Sequence, residues 1–520
     1  MHIDLTVADL KTITTLLNSY LPGTTVWAFG SRVKFTSKPA SDLDLVAFIQ
    51  PEQESDLADL KEAFAESDLP FKVDILDWEV IPDNFKKNIE KDYVVLQDLV
   101  TSKRTIPKNW KAYQLKNITT KIGSGATPRG GKEVYLDKGE YSLIRSQNIL
   151  DFSFSKNGLA FISAEQAKEL QNVTVQENDV LINITGDSVA RVCKVPNELI
   201  PARVNQHVAI IRVNENKADP DFLKYYLLEP SFKNHLSGLA SAGATRNALT
   251  KTMIENLEVI APNLATQQSI SNILTSLDKK IELNLQMNQT LETIAQNIFK
   301  EWFVNFNFPG FDKELIGGVP RGWQITSIGR LISVQNGYAF KGGDFKEFGE
   351  NGVIKIKNIF DNWIDINNVQ FVEDNVAENI DLKFKVHSQD LLIAMIGAQS
   401  GKLGIIPNNS KSLWLNQRVG LFREKVKHAK WFCFLVLSSE EYQNKLLGAA
   451  SGSAQPNISA SQIESMETII PNKNIIEDFG NLINPIFKKI IENYSENQVL
   501  IDIRDSLLPR LMTGKLKVSA

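Results

Sequence analysis

Hydrophobic residues recur every seven positions in two separate stretches of this chain of 520 residues. The first stretch holds two such series, Ile270, Leu277, Asn284, Leu291 and Ile298 in one and Leu274, Ile281, Asn288, Ala295 and Trp302 in the other. A period of 3.5 residues is typical of the apolar seam of a coiled coil. The pattern therefore predicts a helix from about residue 265 to residue 303, roughly 58 Å long at about 1.5 Å per residue.

The second stretch lies 209 residues further along and has the same seam. Its series are Phe479, Ile486, Asn493, Leu500 and Leu507, and Ile483, Ile490, Asn497, Arg504 and Leu511. We expect the two helices to pair antiparallel within one chain, with one globular module at each end. Pairing between two chains is the alternative. Pro485 predicts a kink in the second helix or its true start, and Pro509 should lie near its end.

Both seams carry asparagine at two equivalent positions, Asn284 and Asn288 in the first and Asn493 and Asn497 in the second. Buried amides in a seam cost stability but fix the register of the helices. We expect replacement of Asn284 and Asn493 by leucine to keep or raise the thermal stability while loosening the register.

The repeat extends into the segments that precede the helices. Gly243 to Pro262 aligns with Gly452 to Pro471 at a shift of 209, and Asn205-Gln206 aligns with Asn416-Gln417 at a shift of 211. One module therefore occurs twice. Two copies in one chain create pseudo-two-fold symmetry, which matches the symmetry of duplex DNA. We predict that the chain binds double-stranded DNA at a bipartite site.

These patterns predict an α+β multidomain protein with an N-terminal α/β domain, two homologous α/β modules and an intramolecular antiparallel coiled coil. The expected segments are the N-terminal domain at 1–104, module 1 at 105–262, spacer helix 1 at 263–310, module 2 at 311–471, and spacer helix 2 with the C-terminal tail at 472–520.

Candidate DNA-reading residues come from loops of the modules. Apolar stretches at Asp179–Ile184 and Asp390–Ile396 lead into Gly186 and Gly397, which predicts a strand, a tight turn and a second strand. The side chains in and near these turns differ between the copies, as expected for readers of two half-sites, although drift of surface loops is the alternative. The candidates are Arg145, Gln147, Asn148, Asp187, Ser188, Arg191, Asn205, Gln206, Thr245 and Arg246 in module 1, and Lys355, Lys357, Asn358, Gln399, Ser400, Lys402, Asn416, Gln417, Arg418, Ser453, Gln455 and Asn457 in module 2.

Charge is distributed unevenly along the chain, whose net charge is −4. Residues 1–104 hold 11 basic and 18 acidic residues, whereas the remainder holds 46 basic and 43 acidic residues. An excess of three positive charges is small for a protein that binds DNA alone, so local basic patches or partner subunits must supply phosphate contacts.

Cysteine content and hydropathy bear on the compartment. The two cysteines, Cys193 and Cys433, lie at unrelated places in the repeats, which favours a reducing compartment. The longest apolar run, Trp431 to Leu437, is too short to cross a bilayer. We expect a cytoplasmic protein without membrane contact.

From residue 105 onward the chain resembles the specificity (S) subunits of type I restriction-modification enzymes. The resemblance rests on the repeated module ends Ile254–Pro262 and Ile463–Pro471, on the segments that begin at Gln267 and Leu277, and on the tail that begins at Leu508. It implies two target-recognition domains, paired spacer helices, and docking of two methyltransferase (M) subunits and of restriction/translocase (R) subunits. It also implies that DNA recognition needs no cofactor, and that the partner subunits use S-adenosylmethionine and ATP.

The N-terminal segment carries a second set of chemistry-bearing residues. Gly30-Ser31 follows a predicted strand, and Asp42 and Asp44 alternate on the next, so that both carboxylates share a face while Leu43 and Leu45 face the core. Asp74 supplies a third carboxylate from another strand. Carboxylates in this arrangement could hold Mg²⁺, and the turn could bind a triphosphate.

This segment resembles the minimal nucleotidyltransferases, which transfer a nucleoside monophosphate from an NTP. Phe35 departs from the family turn, where glycine is common, and this puts the nucleotide fit in question. Two other functions stay open. The chain could be an active nucleotidyltransferase localised by DNA- or partner-binding modules, or the recognition subunit of another phage-defence complex.

Overall fold

The computed structural model describes residues 3–21, 24–38, 41–49, 53–90, 92–97, 107–241, 247–450 and 457–518. The chain forms two compact units. One comprises residues 1–278 and 503–520, and the other comprises residues 279–502.

The N-terminal domain is a four-stranded sheet with helices. Its strands are Val26–Phe29, Leu43–Ala47, Val73–Asp77 and Tyr93–Gln97, and its helices are Val7–Tyr20, Glu54–Ala65 and Asp83–Ile89. The second and third strands run parallel, and the first is antiparallel to both the second and the fourth. Leu43 and Leu45 are fully buried in the core, as the alternation of the sequence predicts.

Module 1 contains two four-stranded sheets and a two-stranded ladder. Its strands are Lys111–Gln114, Thr119–Ser124, Tyr141–Ile144, Ala160–Ile162, Thr174–Val175, Val180–Asn183, Val192–Lys194, Ala202–Val204, Val208–Val213 and Glu258–Ala261. Its helices are Ala164–Glu169, Pro220–Leu228, Pro230–Ser241 and Lys251–Glu255. The ladder pairs the first strand of module 1, Lys111–Gln114, with its last strand, Glu258–Ala261. The first long helix begins three residues after this last strand, at Leu264.

Module 2 repeats this plan with larger sheets. Its strands are Leu315–Ile316, Val319–Pro320, Gln324–Ser327, Ile332–Asn336, Phe345–Lys346, Asn351–Ile354, Ile359–Phe360, Asn362–Ile364, Gln370–Val372, Lys385–Val386, Leu391–Ala394, Leu403–Ile405, Ser412–Leu415, Val419–Glu424 and Glu467–Ile470. Its helices are Asp374–Glu378, Ala429–Leu437, Glu440–Ala450 and Ala460–Glu464. A parallel strand pair occurs at equivalent places in both modules, which confirms the duplication.

Two long helices follow the modules, the first from Leu264 to Phe303 and the second from Lys473 to Met512. Each has 40 residues, and both of their ends are related by a shift of 209. The second helix begins twelve residues before Pro485, so that proline does not mark its start. Pro509 lies in the last turn, as predicted.

The four seam asparagines are buried and form two amide pairs within residues 279–502. Asn284 Nδ2 donates to Asn497 Oδ1 at 2.8 Å, and Asn493 Nδ2 donates to Asn288 Oδ1 at 2.9 Å. This antiparallel pairing confirms the predicted intramolecular coiled coil. In this pairing Asn284 contacts Asn497 and not its repeat equivalent Asn493. In an antiparallel pair the two contacts are copies of each other under the pseudo-two-fold operation.

Cys193 is buried in the strand Val192–Lys194, and Cys433 is buried in the helix Ala429–Leu437. Neither cysteine forms a disulfide. Burial raises the pKa of the Cys193 thiol to about 12 and also raises the pKa of Cys433. Among the described residues, every helix is too short or too polar to span a lipid bilayer.

Candidate nucleic-acid interfaces and nucleotide site

One edge of module 1 gathers three of the loops that the sequence singled out. The hairpin that joins Val180–Asn183 to Val192–Lys194 turns at Gly186, whose φ is +75°. Gly186 N donates to Asn247 O at 3.1 Å, which places the segment before the module end beside the hairpin. Thr185 Oγ1 lies 2.6 Å from His207 Nδ1, so the loop that contains Asn205-Gln206 reaches the same place.

The equivalent loops meet in module 2. The hairpin between Leu391–Ala394 and Leu403–Ile405 turns at Gly397, whose φ is +82°. Ile396 forms a bridge with Asn457, and Met395 N donates to Arg418 O at 3.1 Å. The hairpin turn, the loop after Ser412–Leu415 and the segment before the module end are therefore neighbours in both copies. The prediction of a strand, a turn and a strand is confirmed in each module.

A fourth loop belongs to each edge, and the sequence analysis missed it. A Cβ at Gly125 would lie 2.0 Å from Val204 O, and a Cβ at Gly337 would lie 2.3 Å from Asn416 O. Glycine at these two positions lets each loop contact the backbone at the end of a neighbouring strand, Ala202–Val204 in module 1 and Ser412–Leu415 in module 2. The approach brings Thr127 to Gln206 as a hydrogen-bond donor and pairs Tyr338 with Asn416. The signal was a glycine shortly after a strand in both copies.

Four of the residues predicted to read bases are buried within their modules. They are Asn148, Asn205, Asn358 and Ser400. Asn148 Oδ1 accepts from Arg145 N at 3.0 Å, and its Nδ2 donates to two backbone carbonyls. Asn358 Oδ1 accepts from Lys355 N at 2.9 Å, and its Nδ2 donates to Asn368 O. These hydrogen bonds show that Asn148 and Asn358 hold their loops in shape.

The cations that precede two of these amides occupy matching positions. Arg145 lies over the ring of Tyr135, with 5.2 Å between the guanidinium carbon and the ring centroid. Lys355 Nζ lies 3.2 Å from the centroid of Phe345 and 2.5 Å from Gln370 Oε1. Desolvation, followed by the nearby charge of Lys357, lowers the pKa of Lys355. Both side chains are half-buried.

The remaining candidates divide by exposure. Exposed side chains are Gln147, Asp187, Gln206, Lys357, Lys402, Gln417, Arg418 and Asn457. Ser188, Arg191, Gln399 and Asn416 are partly exposed. Gln399 Oε1 is itself buried in the hairpin turn and has no hydrogen-bond partner among the described residues. Thr245, Arg246, Ser453 and Gln455 lie outside the described residues.

The N-terminal domain brings its predicted residues to one end of the sheet. Gly30 ends the first strand with φ at +84°, and a Cβ there would lie 2.4 Å from Asp44 Oδ2. Asp44 pairs in register with Phe29 on one side and with Asp74 on the other. Burial raises the pKa of Asp44, and the charges of Asp42 and Asp74 raise it further. Asp42 and Asp74 are therefore both close enough to Asp44 for their charges to repel its carboxylate.

A lysine neutralises part of this cluster. Lys72 Nζ lies 2.6 Å from Asp74 Oδ1, and this hydrogen bond raises the pKa of Lys72. In the described part of the chain, no set of three or more His, Cys, Asp or Glu side chains is arranged to hold a metal ion. Asp42 is exposed, and Asp44 and Asp74 are partly exposed, so all three carboxylates are accessible from solvent.

The turn after Gly30 differs from a glycine-rich turn at one position. Phe35 is exposed and has φ at +54°, a left-handed conformation that glycine adopts without strain. Arg32 holds the turn in place through two hydrogen bonds. Its Nη2 donates to Ser41 O at 2.7 Å, and its Nη1 donates to Asp4 O at 2.9 Å. Phe35 therefore adopts a left-handed backbone that a glycine would adopt more easily.

Comparisons with known proteins agree with both halves of this description. Residues 107–293 and 320–501 match the family described as type I restriction modification DNA specificity domain. Residues 11–99 match the family described as polymerase beta, nucleotidyltransferase.

Individual relatives show the same division. The chain is 25% identical to the specificity subunit of the type I restriction enzyme MjaIX from Methanocaldococcus jannaschii over 79% of this chain and 95% of that protein. It is 48% identical over 99 residues, 19% of this chain, to a probable protein adenylyltransferase, MntA, from Haemophilus influenzae, and covers 86% of that protein. The crystal structure of the type I S subunit from M. genitalium shares the fold, with a TM-score of 0.54 at 13% identity over 78% of this chain and 96% of that chain.

The family matches together span well over half of the chain. The chain therefore belongs to the DNA specificity subunits of type I restriction-modification systems, and it carries a nucleotidyltransferase-like domain at its N-terminal end.

Proposed function

We propose that the two modules read the two halves of a bipartite DNA site. The observation that carries this proposal is a repeated edge, at which the same loops meet in both modules while their exposed side chains differ. At the shift of 211, His207 in module 1 corresponds to Arg418 in module 2 and Arg191 corresponds to Lys402, whereas Gln206 and Gln417 are alike. Amide and guanidinium groups are the side chains that discriminate base edges in the major groove.

Exchange of one module tests this proposal. Residues 105–262 are replaced by the corresponding module of another specificity subunit, and the chain is co-expressed with its methyltransferase subunit. Sequencing of methylated bases is expected to show one altered half-site and one unchanged half-site. The reciprocal exchange of residues 311–471 is the matched control and should alter the other half. A change in both halves after either exchange would contradict independent reading.

The long helices are the proposed docking surfaces for two methyltransferase subunits, through which restriction/translocase subunits then join. Large apolar side chains are exposed on them at repeat-related positions, Ile273 with Leu482 and Ile294 with Ile503. Apolar residues on a water-facing helix surface are typical of protein contacts. Replacement of Ile294 by glutamate should remove one methyltransferase subunit in native mass spectrometry, and the same change at Ile503 should remove the other. Retention of both subunits in both variants would contradict the proposal.

For the N-terminal domain we propose that a hydroxyl group of a protein attacks the α-phosphorus of an NTP, which transfers the nucleoside monophosphate to that oxygen and releases pyrophosphate and a proton. Two observations favour it, the geometry of Gly30 with Asp44 and the 48% identity to the MntA relative. Asp42 and Asp44, with Asp74 after release from Lys72, would hold Mg²⁺, which would neutralise phosphate charge during transfer. Gly30 and Ser31 would bind phosphate oxygens through a backbone N–H and a hydroxyl group.

Labelled ATP with Mg²⁺ tests this second activity. The full chain, co-expressed with its neighbours, should transfer label to a protein, and Asp44→Asn should abolish the transfer. Asp92→Asn, which changes an exposed carboxylate paired with Lys34, is the control and should retain the transfer. Equal labelling by the Asp44→Asn variant would refute the assignment.

A further inference from the structure

The turn that follows Gly30 in the N-terminal domain places an aromatic side chain at the surface from a strained backbone. Phe35 has φ at +54° and is 53% exposed. A bulky residue is an outlier in this left-handed region. Such residues persist where the surrounding structure fixes them, and they cluster at binding and active sites. Packing into a core does not account for Phe35, because more than half of its surface meets solvent.

Two backbone hydrogen bonds close the turn around Phe35. Lys34 N donates to Gly30 O at 3.2 Å, and Thr36 N donates to Ser31 O at 3.0 Å. The two bonds flank Phe35 on either side and fix the conformation of its backbone. The peptide bond that joins Phe35 to Thr36 therefore lies directly against Ser31.

A buried arginine anchors the middle of the same turn. Arg32 is 5% exposed, and its guanidinium carbon lies 3.8 Å from the centroid of Phe71. Its backbone oxygen accepts from Asp4 N at 2.9 Å. The turn is therefore held by the body of the domain, and Phe35 presents its ring from a fixed backbone.

Phe35 adjoins the groups that are proposed to bind the triphosphate and Mg²⁺. Its peptide bond contacts Ser31, and Gly30 lies so close to Asp44 that a Cβ would be 2.4 Å from Oδ2. A triphosphate at Gly30 and Ser31 leaves the nucleoside part of the NTP to find its contacts at the border of the site. Stacking on an aromatic ring is a contact that every base can make, because every base has a flat π face.

We propose that the ring of Phe35 stacks on the nucleobase of the NTP bound by the N-terminal domain. The inference rests on the proposed nucleotidyltransferase function and adds to it the residue that contacts the base. Stacking offsets the strain of the left-handed backbone and gives Phe35 a function that glycine could not perform at this position.

Comparison of ATP with tripolyphosphate separates the contacts of the base from those of the phosphates, since only ATP has a base. Both ligands are titrated into the full chain with Mg²⁺ in a calorimeter. Phe35→Gly is expected to weaken the binding of ATP about tenfold, which corresponds to 1.4 kcal/mol, and to leave the affinity for tripolyphosphate unchanged. Phe35→Tyr keeps the ring and should retain the wild-type affinity for ATP. Unchanged ATP binding by Phe35→Gly, or equal weakening of both ligands, would overturn the proposal.

Melting temperatures distinguish a binding role from a structural one. Glycine adopts the left-handed conformation without strain, so Phe35→Gly should keep the Tm of the wild-type chain or raise it. Phe35→Leu retains apolar bulk and the backbone strain but lacks the ring. It should melt like the wild-type chain and still bind ATP more weakly. A folded Phe35→Leu variant with wild-type affinity for ATP would show that the ring is not needed and would refute the inference.

Phe85 provides a matched control in the same domain. It lies in the helix Asp83–Ile89 and is 42% exposed. Phe85→Leu should leave the affinity for ATP unchanged, and a loss in this variant with none in Phe35→Leu would assign the base contact to Phe85 instead. Failure of the wild-type chain to bind either ATP or tripolyphosphate would contradict the proposed nucleotide site itself. ATP binding that does not respond to Phe35→Gly contradicts only the role of Phe35.

Discussion

The amide pairs of the coiled coil allow a quantitative test of its register. Asn284→Leu removes the donor to Asn497 Oδ1 and leaves that oxygen buried, because Asn497 is 4% exposed. A buried polar group without a partner costs about 1–3 kcal/mol. The new leucine contributes apolar burial, yet it must fit a space shaped for an amide. We expect a net loss of about 1–2 kcal/mol for the single variant.

The partner determines the outcome of a second substitution. Adding Asn497→Leu removes the orphaned amide, so the double variant should be more stable than the sum of the single effects by about 1–3 kcal/mol. Adding Asn493→Leu to Asn284→Leu instead leaves Asn288 Oδ1 without its donor as well. The destabilising effects of these two substitutions should therefore add. Leucine at both Asn284 and Asn493, which the sequence predicted to keep or raise the thermal stability, is therefore expected to destabilise the chain.

Differential scanning calorimetry measures these differences directly. One kcal/mol shifts the Tm of a unit of 150–250 residues by about 2–4 °C, so the two double variants should be separated by several degrees. Asn288→Leu with Asn493→Leu repeats the experiment on the second amide pair and should show the same coupling. Additive effects in the contacting pairs, or coupling between Asn284 and Asn493, would refute the antiparallel register.

Three other predictions concern the loops and the nucleotide site. Asp42→Ala with Asp44→Ala should abolish NTP-dependent transfer yet leave the methylated motif unchanged, and loss of methylation in an assembled double variant would contradict the separation of the two activities. Gly30→Ala should disturb Asp44, because the new Cβ would lie 2.4 Å from Oδ2, and should reduce Mg²⁺-dependent binding of ATP measured by calorimetry. Arg418→Ala should relax one position of one half-site in the methylated motif by about 1–3 kcal/mol, whereas relaxation in both half-sites would contradict its place in module 2.

The architecture could be predicted from the sequence because it rests on periodicity and repetition. Seam positions from Ile270 to Trp302 indicated a helix from about residue 265 to residue 303, and the helix runs from Leu264 to Phe303. The spacing of hydrophobic residues can be read from the sequence alone, without knowing which residues contact one another in the fold. The strands that carry Asp44 and Asp74 were also evident, since alternation places Leu43 and Leu45 in the core.

The details of the reading edges could not be predicted in the same way. Asn148 and Asn358 are polar and lie in loops, so the sequence suggested base contacts, but both are buried loop supports. Whether an amide faces water or the backbone depends on long-range packing, which composition does not reveal. The partner of Asn284 was missed for a related reason, since the repeat relates equivalent positions whereas antiparallel contacts join different ones.

Sequencing of methylated bases in DNA from cells that co-express the chain and its methyltransferase subunit tests the central claim most directly. The account predicts a motif of two short specific half-sites, with centres about one helical turn or roughly 10 bp apart and unspecified bases between them. A continuous motif without a gap, written by an assembled complex, would contradict reading by two separate modules.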